Sequence, residues 1–189
     1  MNFCSQCGST VRFDIPEDDT RPRHICNSCG VIHYINPKVI AGCLPVYEDK
    51  VLLCKRAIEP RNGYWTLPAG FMENGESTRN AATRETLEEA NARVSNLQLY
   101  TITSLVPVSQ VQLIYLAQLD DLNFSAGDET EDVQLFSEED IPWKELAFQT
   151  IRNALKFYFE DRKEGKFPMR HVDLETPAGQ YVDKSIQSI

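Results

Sequence analysis

Gly70-Phe71-Met72-Glu73-Asn74-Gly75-Glu76-Ser77-Thr78-Arg79-Asn80-Ala81-Ala82-Thr83-Arg84-Glu85-Thr86-Leu87-Glu88-Glu89 is the stretch that decides how this chain is read. It is a glycine-punctuated loop feeding a helix whose second half is loaded with carboxylates. Ser77 is positioned to cap that helix, which is expected to run to about Ala90. Residues three and four apart share a helix face, so Glu85, Glu88 and Glu89 converge on one side. Like charges at that spacing repel unless a cation neutralises them. Carboxylate oxygens suit hard cations, magnesium or manganese, and an ion so held most often acts on a phosphate. A solvated acidic helix face is the competing reading. It accounts for Glu88 and Glu89 one at a time, but not for the loop, Arg84 and the spacing together.

The cysteines carry a second signal. Cys4 with Cys7 and Cys26 with Cys29 make two Cys-x-x-Cys pairs, 18 residues apart, each followed by a glycine, Gly8 and Gly30. That spacing suits a four-thiolate zinc site, and such closed sites are structural. A segment of about 36 residues builds little core, so a metal staple has a physical reason to be there. A disulfide framework or a redox pair is the weaker alternative. Cys43 and Cys54 sit in apolar, strand-like surroundings and read as inert core thiols. His24, His33 and His171 read as surface or loop histidines.

Composition narrows the remaining classes. The 189 residues suit one main domain with a small appendage, and the formal net charge of −9 disfavours nucleic acid and anionic membranes as partners. No stretch approaches the length of a membrane helix. Met1-Asn2-Phe3-Cys4 offers no basic region followed by an apolar run. No signal peptide is therefore read, and a cytoplasmic location is expected.

Along the chain, residues 38–48 read as a strand in which Pro45 implies an edge or a bulge. Residues 51–54 complete a hairpin with it, and residues 64–67 form a short strand. After Asn91 come extended segments at 94–108, 111–119 and 133–136. Residues 120–132 read as an acidic loop, 137–143 as a capped turn, and 147–164 as an amphipathic helix. The segment from 166 to 189 reads as a tail. The expected fold class is α+β, an α/β/α sandwich, with boundaries at 1–36, 37–165 and 166–189.

Gly70, Glu76 and Arg84-Glu85-x-x-Glu88-Glu89 at these offsets resemble the Nudix box, the loop-helix-loop of hydrolases that cut nucleoside diphosphates linked to another moiety. Thr86 and Ala92 stand where larger aliphatics are usual and would pack the helix less well. Asn91 replaces a glycine and tolerates a left-handed helix end. The resemblance implies the Nudix fold, a mixed sheet between helices, preceded by a zinc ribbon at 1–36. It implies Glu85 and Glu89 as direct metal ligands, Glu88 on a metal or its water shell, and the Ala69 carbonyl as a further ligand. Glu76 is expected to fix Arg84, a supporting role it shares with Gly70. For the base that activates water, Glu129 is the candidate, with Glu131 second and the box glutamates as alternatives. Arg56 is either a phosphate contact or an ordinary surface arginine.

The two knuckles, Asn36-Pro37-Lys38, Val51–Arg56 and Tyr64–Gly70 resemble zinc-ribbon Nudix proteins, among them plant plastid FAD and ADP-ribose pyrophosphatases. The implied reaction is magnesium- or manganese-dependent hydrolysis of FAD or ADP-ribose, releasing AMP, by a homodimer acting on a small nucleotide. NADH pyrophosphatases share the ribbon, but their marker Ser-Gln-Pro-Trp-Pro-Phe-Pro is absent: Ser109-Gln110 leads into Val111-Gln112-Leu113. Pro107 lies fifteen residues past Ala92, an offset at which ADP-ribose pyrophosphatases carry a proline. An NADH or NAD-cap pyrophosphatase, and a nucleotide-sensing regulator whose ribbon contacts a partner, remain the alternatives.

Overall fold

A computed structural model describes residues 1–175 and the backbone of Gln187–Ser188. The rest of the segment read as a tail lies outside the described residues. The chain forms two compact units, Met1–Pro37 and Lys38–Ile189.

In the first unit β1 (Val11–Asp14), β2 (Arg23–Cys26) and β3 (Ile32–His33) make a three-stranded antiparallel sheet. Its interior is small: Cys4, Ile25 and Cys26 are buried, while Phe3, Phe13, Ile15, Tyr34 and Ile35 are exposed. So few buried side chains cannot offset the ordering of 37 residues, and the four thiols supply what the core lacks.

The second unit contains β4 (Lys38–Tyr47), β5 (Lys50–Arg56), β6 (Trp65–Thr66), β7 (Ala69–Phe71), α1 (Thr78–Ala90), β8 (Val94–Leu105), β9 (Gln110–Leu119), β10 (Thr130–Phe136), α2 (Gln149–Glu164), β11 (Arg170–Leu174) and β12 (Gln187–Ser188). The strands form one sheet in the order β10-β5-β4-β9-β8-β11-β12, with β6 on β5 and β7 on β4. It is mixed, because β4 runs parallel to β9 and β11 parallel to β8. α1 lays Ala81 and Ala82 on one face against Ala41, Cys43, Tyr115 and Ala117. α2 packs Ile151, Ala154, Leu155 and Tyr158 on the other face, against Leu44, Leu67 and Ile114. The architecture is the expected mixed sheet between helices.

Three local readings are corrected by the structure. Pro45 neither marks an edge nor breaks the strand: β4 is interior, flanked by β9 on one side and by β7 and β5 on the other. Cys43 N donates to Pro68 O, and the residue two further on presents its nitrogen to the same side. There β4 has left β7, which pairs at Ile40–Gly42, and has not yet met β5, which pairs at Val46 and Tyr47. A residue without an N–H costs no ladder bond in that gap.

Thr86 and Ala92 do not loosen the helix. Both are buried, and the Thr86 hydroxyl donates to Ala82 O at 2.8 Å. Small residues at these places let α1 approach the sheet closely. The helix ends as expected: Ser77 accepts from Asn80 N, and Asn91 is left-handed at φ 48°.

The third correction concerns the segment read as a tail. β11 adds a strand alongside β8, and its Arg170 forms a bidentate pair with Asp161 of α2. Tyr100 of β8 donates to Asp161 Oδ2 at 2.6 Å, and the guanidinium of Arg170 lies over the Phe157 ring at 4.7 Å. One buried carboxylate thus ties three elements together. Its amphipathic neighbours made α2 visible in the sequence, whereas an isolated Arg170 carries no periodic signal. Replacing Arg170 with Met strands the Asp161 charge in the interior. The expected loss is about 3 kcal/mol by urea unfolding, with less lost when Asp161→Asn accompanies it.

Candidate functional site

Arg84 organises the acidic helix. Its Nη2 donates to Glu76 Oε1 at 2.8 Å and to Phe71 O at 3.2 Å, its Nε to Glu76 Oε2 at 3.2 Å, and its Nη1 to Glu85 Oε1 at 2.8 Å and Glu88 Oε2 at 2.9 Å. Glu76 also accepts from Glu73 N at 2.7 Å, so the loop after Gly70 is closed on itself and on the helix. The expected Glu76–Arg84 pair is therefore present, as a bidentate one.

Glu85 and Glu89 turn inward, one turn apart. Glu89 is buried and its Oε2 accepts from Ala69 N at 3.1 Å. Burial pushes the Glu89 carboxyl up to about 8; the Ala69 N–H opposes this, the Glu85 charge adds to it, Arg56 opposes and Glu129 adds. Glu85 is raised for the same first reason, against the pull of Arg84 and with the push of Glu88 and Glu129. A raised carboxyl holds its proton more tightly in the folded chain. The stability this contributes is fully present below the ordinary carboxylate range and is lost as pH climbs from there up to about 8 for Glu89, unless a cation takes the proton's place.

Gly70 explains how close Glu85 comes: a Cβ there would stand 2.3 Å from Glu85 Oε2. Gly42, across from Ala69, would meet Ala69 Cβ at 2.3 Å and holds the same strand close.

Glu88 departs from the expected convergence. Its side chain is 58% exposed and held only through Arg84. Among the described residues, the three helix glutamates do not bring their oxygens within 4.8 Å of one another, while the four cysteines do bring their sulfurs that close. The reason is visible in the contacts: Arg84 draws Glu85 and Glu88 one way, and the Ala69 N–H draws Glu89 the other.

Glu129 is exposed, and its charge acts on both inward carboxyls. Its loop is fastened to the end of α1. Asn91 Nδ2 donates to Ser125 O and Ala126 O, Gly127 N donates to Glu89 O at 3.0 Å, and a Cβ at Gly127 would overlap Glu88 O at 1.8 Å. Glu131 points elsewhere and pairs with Lys55 at 3.1 Å. Arg56 lies over the Phe148 ring at 5.4 Å, with its Nε on Pro60 O. Sequence reading did not separate Gly127 and Gly42 from other glycines; a glycine inside an acidic loop or amid apolar strand residues was their only signal.

The donor set fits a hard divalent cation. One buried and one partly buried carboxyl carry raised proton affinity, the charge of a third acts on both, and the glycine face over Glu85 is bare. In the first unit the sulfur separations are Cys4–Cys29 3.8 Å, Cys7–Cys26 3.4 Å and Cys7–Cys29 3.6 Å. A tetrahedron with zinc–sulfur bonds of about 2.3 Å has edges of about 3.8 Å. The Ser9 N–H pulls the Cys7 thiol down to about 6, and the N–H groups of Cys29 and Ser28 lower Cys26. For Cys29 the Val31 N–H also lowers the thiol, but the sulfurs of Cys26 and Cys7 outweigh it and push it up to about 12. Sulfurs this close cannot all ionise without a cation among them. Cys43 and Cys54 are buried in the second unit, and burial raises both thiols.

Residues 36–166 match the NUDIX domain family, and residues 2–35 match the zinc-ribbon family described as Nudix N-terminal. The chain belongs to the NUDIX domain family of hydrolases. Among solved structures it is similar to a NUDIX hydrolase from Nitrosomonas europaea, 54% identical with TM-score 0.89, over 92% of this chain and 99% of that one. Among curated proteins it is 28% identical to the NAD-capped RNA hydrolase NudC of Vibrio parahaemolyticus, over 75% of this chain and 53% of the relative. The chain spans about half the length of that relative. An ADP-ribose pyrophosphatase from Streptococcus suis, 21% identical with TM-score 0.58 over 74% of this chain and 100% of that one, shares the fold.

Two outcomes follow from this geometry. Purified protein should carry one zinc per chain by elemental analysis, and Cys26→Ser should release it and unfold the first unit, read by protease cleavage within residues 1–37. Gly70→Ala should displace the Glu85 carboxylate and lower hydrolytic turnover by about 100-fold, with thermal unfolding shifted by only a few degrees.

Proposed function

We propose that this protein is a divalent-metal-dependent pyrophosphatase that cleaves the diphosphate bridge of an ADP-linked compound, FAD or ADP-ribose, and releases AMP. One observation carries the reading: Glu85, partly buried, and Glu89, buried one turn on along α1, are both raised by burial, Glu129 acts on both, and the Arg56 charge reaches Glu89. Two carboxyls one helix turn apart, each desolvated, are unfavourable when both are ionised unless a cation is present, and the arginine whose charge reaches Glu89 suits a phosphate.

In this reading Glu85, Glu89 and the Ala69 carbonyl would hold magnesium or manganese, with Glu88 on its water shell. The ion supplies charge neutralisation at the phosphoryl oxygens. The chain does the rest. Arg84 keeps Glu85 oriented and the loop in place. Arg56 binds a non-bridging phosphate oxygen, its plane supported by Phe148. Glu129 accepts the proton as a water oxygen attacks one phosphorus and the bridging P–O bond breaks, the departing phosphate taking the bond's electron pair. The zinc ribbon is structural. The proposal extends to a homodimer in the cytoplasm; light scattering reads the oligomer directly.

A second reading has its own support, since the curated relative is named for hydrolysis of NAD-capped RNA. Against it stands the segment after Ser109-Gln110. Val111, Gln112 and Leu113 pair within β9 between β4 and β8. Prolines at alternate positions there would remove ladder donors from a central strand.

Incubation of the full chain with magnesium and FAD, ADP-ribose or NADH, followed by product separation, tests both readings. FMN with AMP, or ribose 5-phosphate with AMP, is expected to form faster than products of NADH; a preference for NADH favours the second reading, and no cleavage of any compound by folded protein overturns both. Glu129→Gln should lower kcat by about 100-fold or more and flatten the acid limb of its pH profile, leaving KM little changed.

A further inference from the structure

Asparagine is a thermolabile residue, most of all before glycine, where no Cβ shields the next main-chain nitrogen from the carboxamide. Two such links occur in this sequence, Asn62-Gly63 and Asn74-Gly75. Both lie in loops of the second unit, and a Cβ at either glycine would meet nothing within 4 Å. Crowding does not separate them; hydrogen bonding does.

Asn62-Gly63 is held at both reacting ends. Gly63 N donates to Arg56 O at 2.8 Å, and Arg56 N donates to Tyr64 O at 2.9 Å, so the glycine nitrogen sits inside the closure between β5 and β6. The Asn62 carboxamide donates to Ala57 O at 3.2 Å. Both of its bonds must break before that nitrogen can reach that carboxamide.

Asn74-Gly75 has neither restraint. Both residues are exposed. Among the described residues, Gly75 N has no hydrogen-bond acceptor and the Asn74 carboxamide has no partner. The flanks, by contrast, are anchored. Met72 N donates to Val39 O at 3.0 Å, Glu73 N donates to Glu76 Oε1 at 2.7 Å, and Ser77 caps α1. The link is a free tip between two fixed points.

We propose that Asn74 is a self-modification site, where the chain converts the asparagine into aspartyl and isoaspartyl residues, and that the conversion unlatches the loop holding Arg84. The Gly75 nitrogen loses its proton to solvent base and attacks Asn74 Cγ. A Cγ–N bond forms, the Cγ–Nδ2 bond breaks, and the leaving nitrogen takes up a proton and departs as ammonia. Water then opens the five-membered imide. Attack at Cγ gives aspartate. Attack at the main-chain carbonyl gives isoaspartate, in which the chain runs on through Cβ and Cγ and the former main-chain carbonyl carbon becomes the free carboxylate. Water is the sole co-reactant.

The consequence falls on the frame around Arg84. The bond from Glu73 N to Glu76 Oε1 spans the reacting link, and isoaspartate adds one carbon to the main chain inside that span. The bond is lost, and Glu76 keeps only its pair with Arg84. Either product also replaces a neutral carboxamide with a carboxylate between Glu73 and Glu76, where it repels both. The chemistry needs only this loop and stands whether or not the protein is a pyrophosphatase.

The test ages the full chain at mildly alkaline pH and body temperature over several days, with samples digested and fragmented in a mass spectrometer. Conversion is a gain of about one dalton at a located residue. Asn74 should convert about tenfold faster than Asn62, or more, since two hydrogen bonds hold the latter. In urea, where those bonds are gone, the two rates should converge. In the converted chain, isolated by ion exchange, amide hydrogen exchange at Glu73 should quicken about tenfold. Asn74→Gln, aged alongside, should keep Glu73 protected and gain no mass at that position. Equal rates in the folded chain, or faster conversion at Asn62, overturn the site. A rate ratio unchanged in urea overturns the role given to the hydrogen bonds. Conversion at Asn74 with Glu73 still protected overturns the unlatching.

Discussion

Everything in the acidic helix depends on one guanidinium. Arg84 joins the loop carboxylate Glu76, the strand carbonyl of Phe71 and two helix glutamates in a single set of charge-assisted bonds. Five donors in a rigid plane can do this, and an ammonium cannot. Without it, α1 would hold three glutamates within five residues and no positive charge between them. With it, the loop, the strand and the helix form one rigid frame. Glu85 and Glu89 can then be pressed against Gly70 and Ala69 despite their burial.

That frame explains why the carboxylates were legible in the sequence while their arrangement was not. Helical spacing alone sets Glu85, Glu88 and Glu89 on one side. It does not say that Arg84 and the Ala69 N–H pull them apart, or that Glu88 looks to solvent. The cysteine pairs were legible because metal spacing is local. β11 was not, because one short parallel strand beside β8 has no periodic signature, and its anchor is a single long-range ion pair. Pro45 misled for a related reason: a strand's neighbours on each side can change along its length, and the gap between β7 and β5 is a tertiary fact.

The two units stabilise themselves by different means. The larger has a layered core with α1 and α2 on opposite faces of the sheet. The smaller leaves most of its large apolar side chains at the surface and relies on four sulfurs. Exposed Phe13 lies against His24, and Arg23 over Tyr34, so even these rings are paired sideways rather than covered.

Gly127 has a consequence for how such a chain can diverge. Its N–H holds the last turn of α1, and Asn91 grips Ser125 and Ala126 from the helix side. The placement of Glu129 is thereby set by the helix end rather than by the path the chain takes to reach it. Residues 120–124 are thus a stretch where insertions and deletions can accumulate over generations, reshaping the rim without moving the carboxylate behind it.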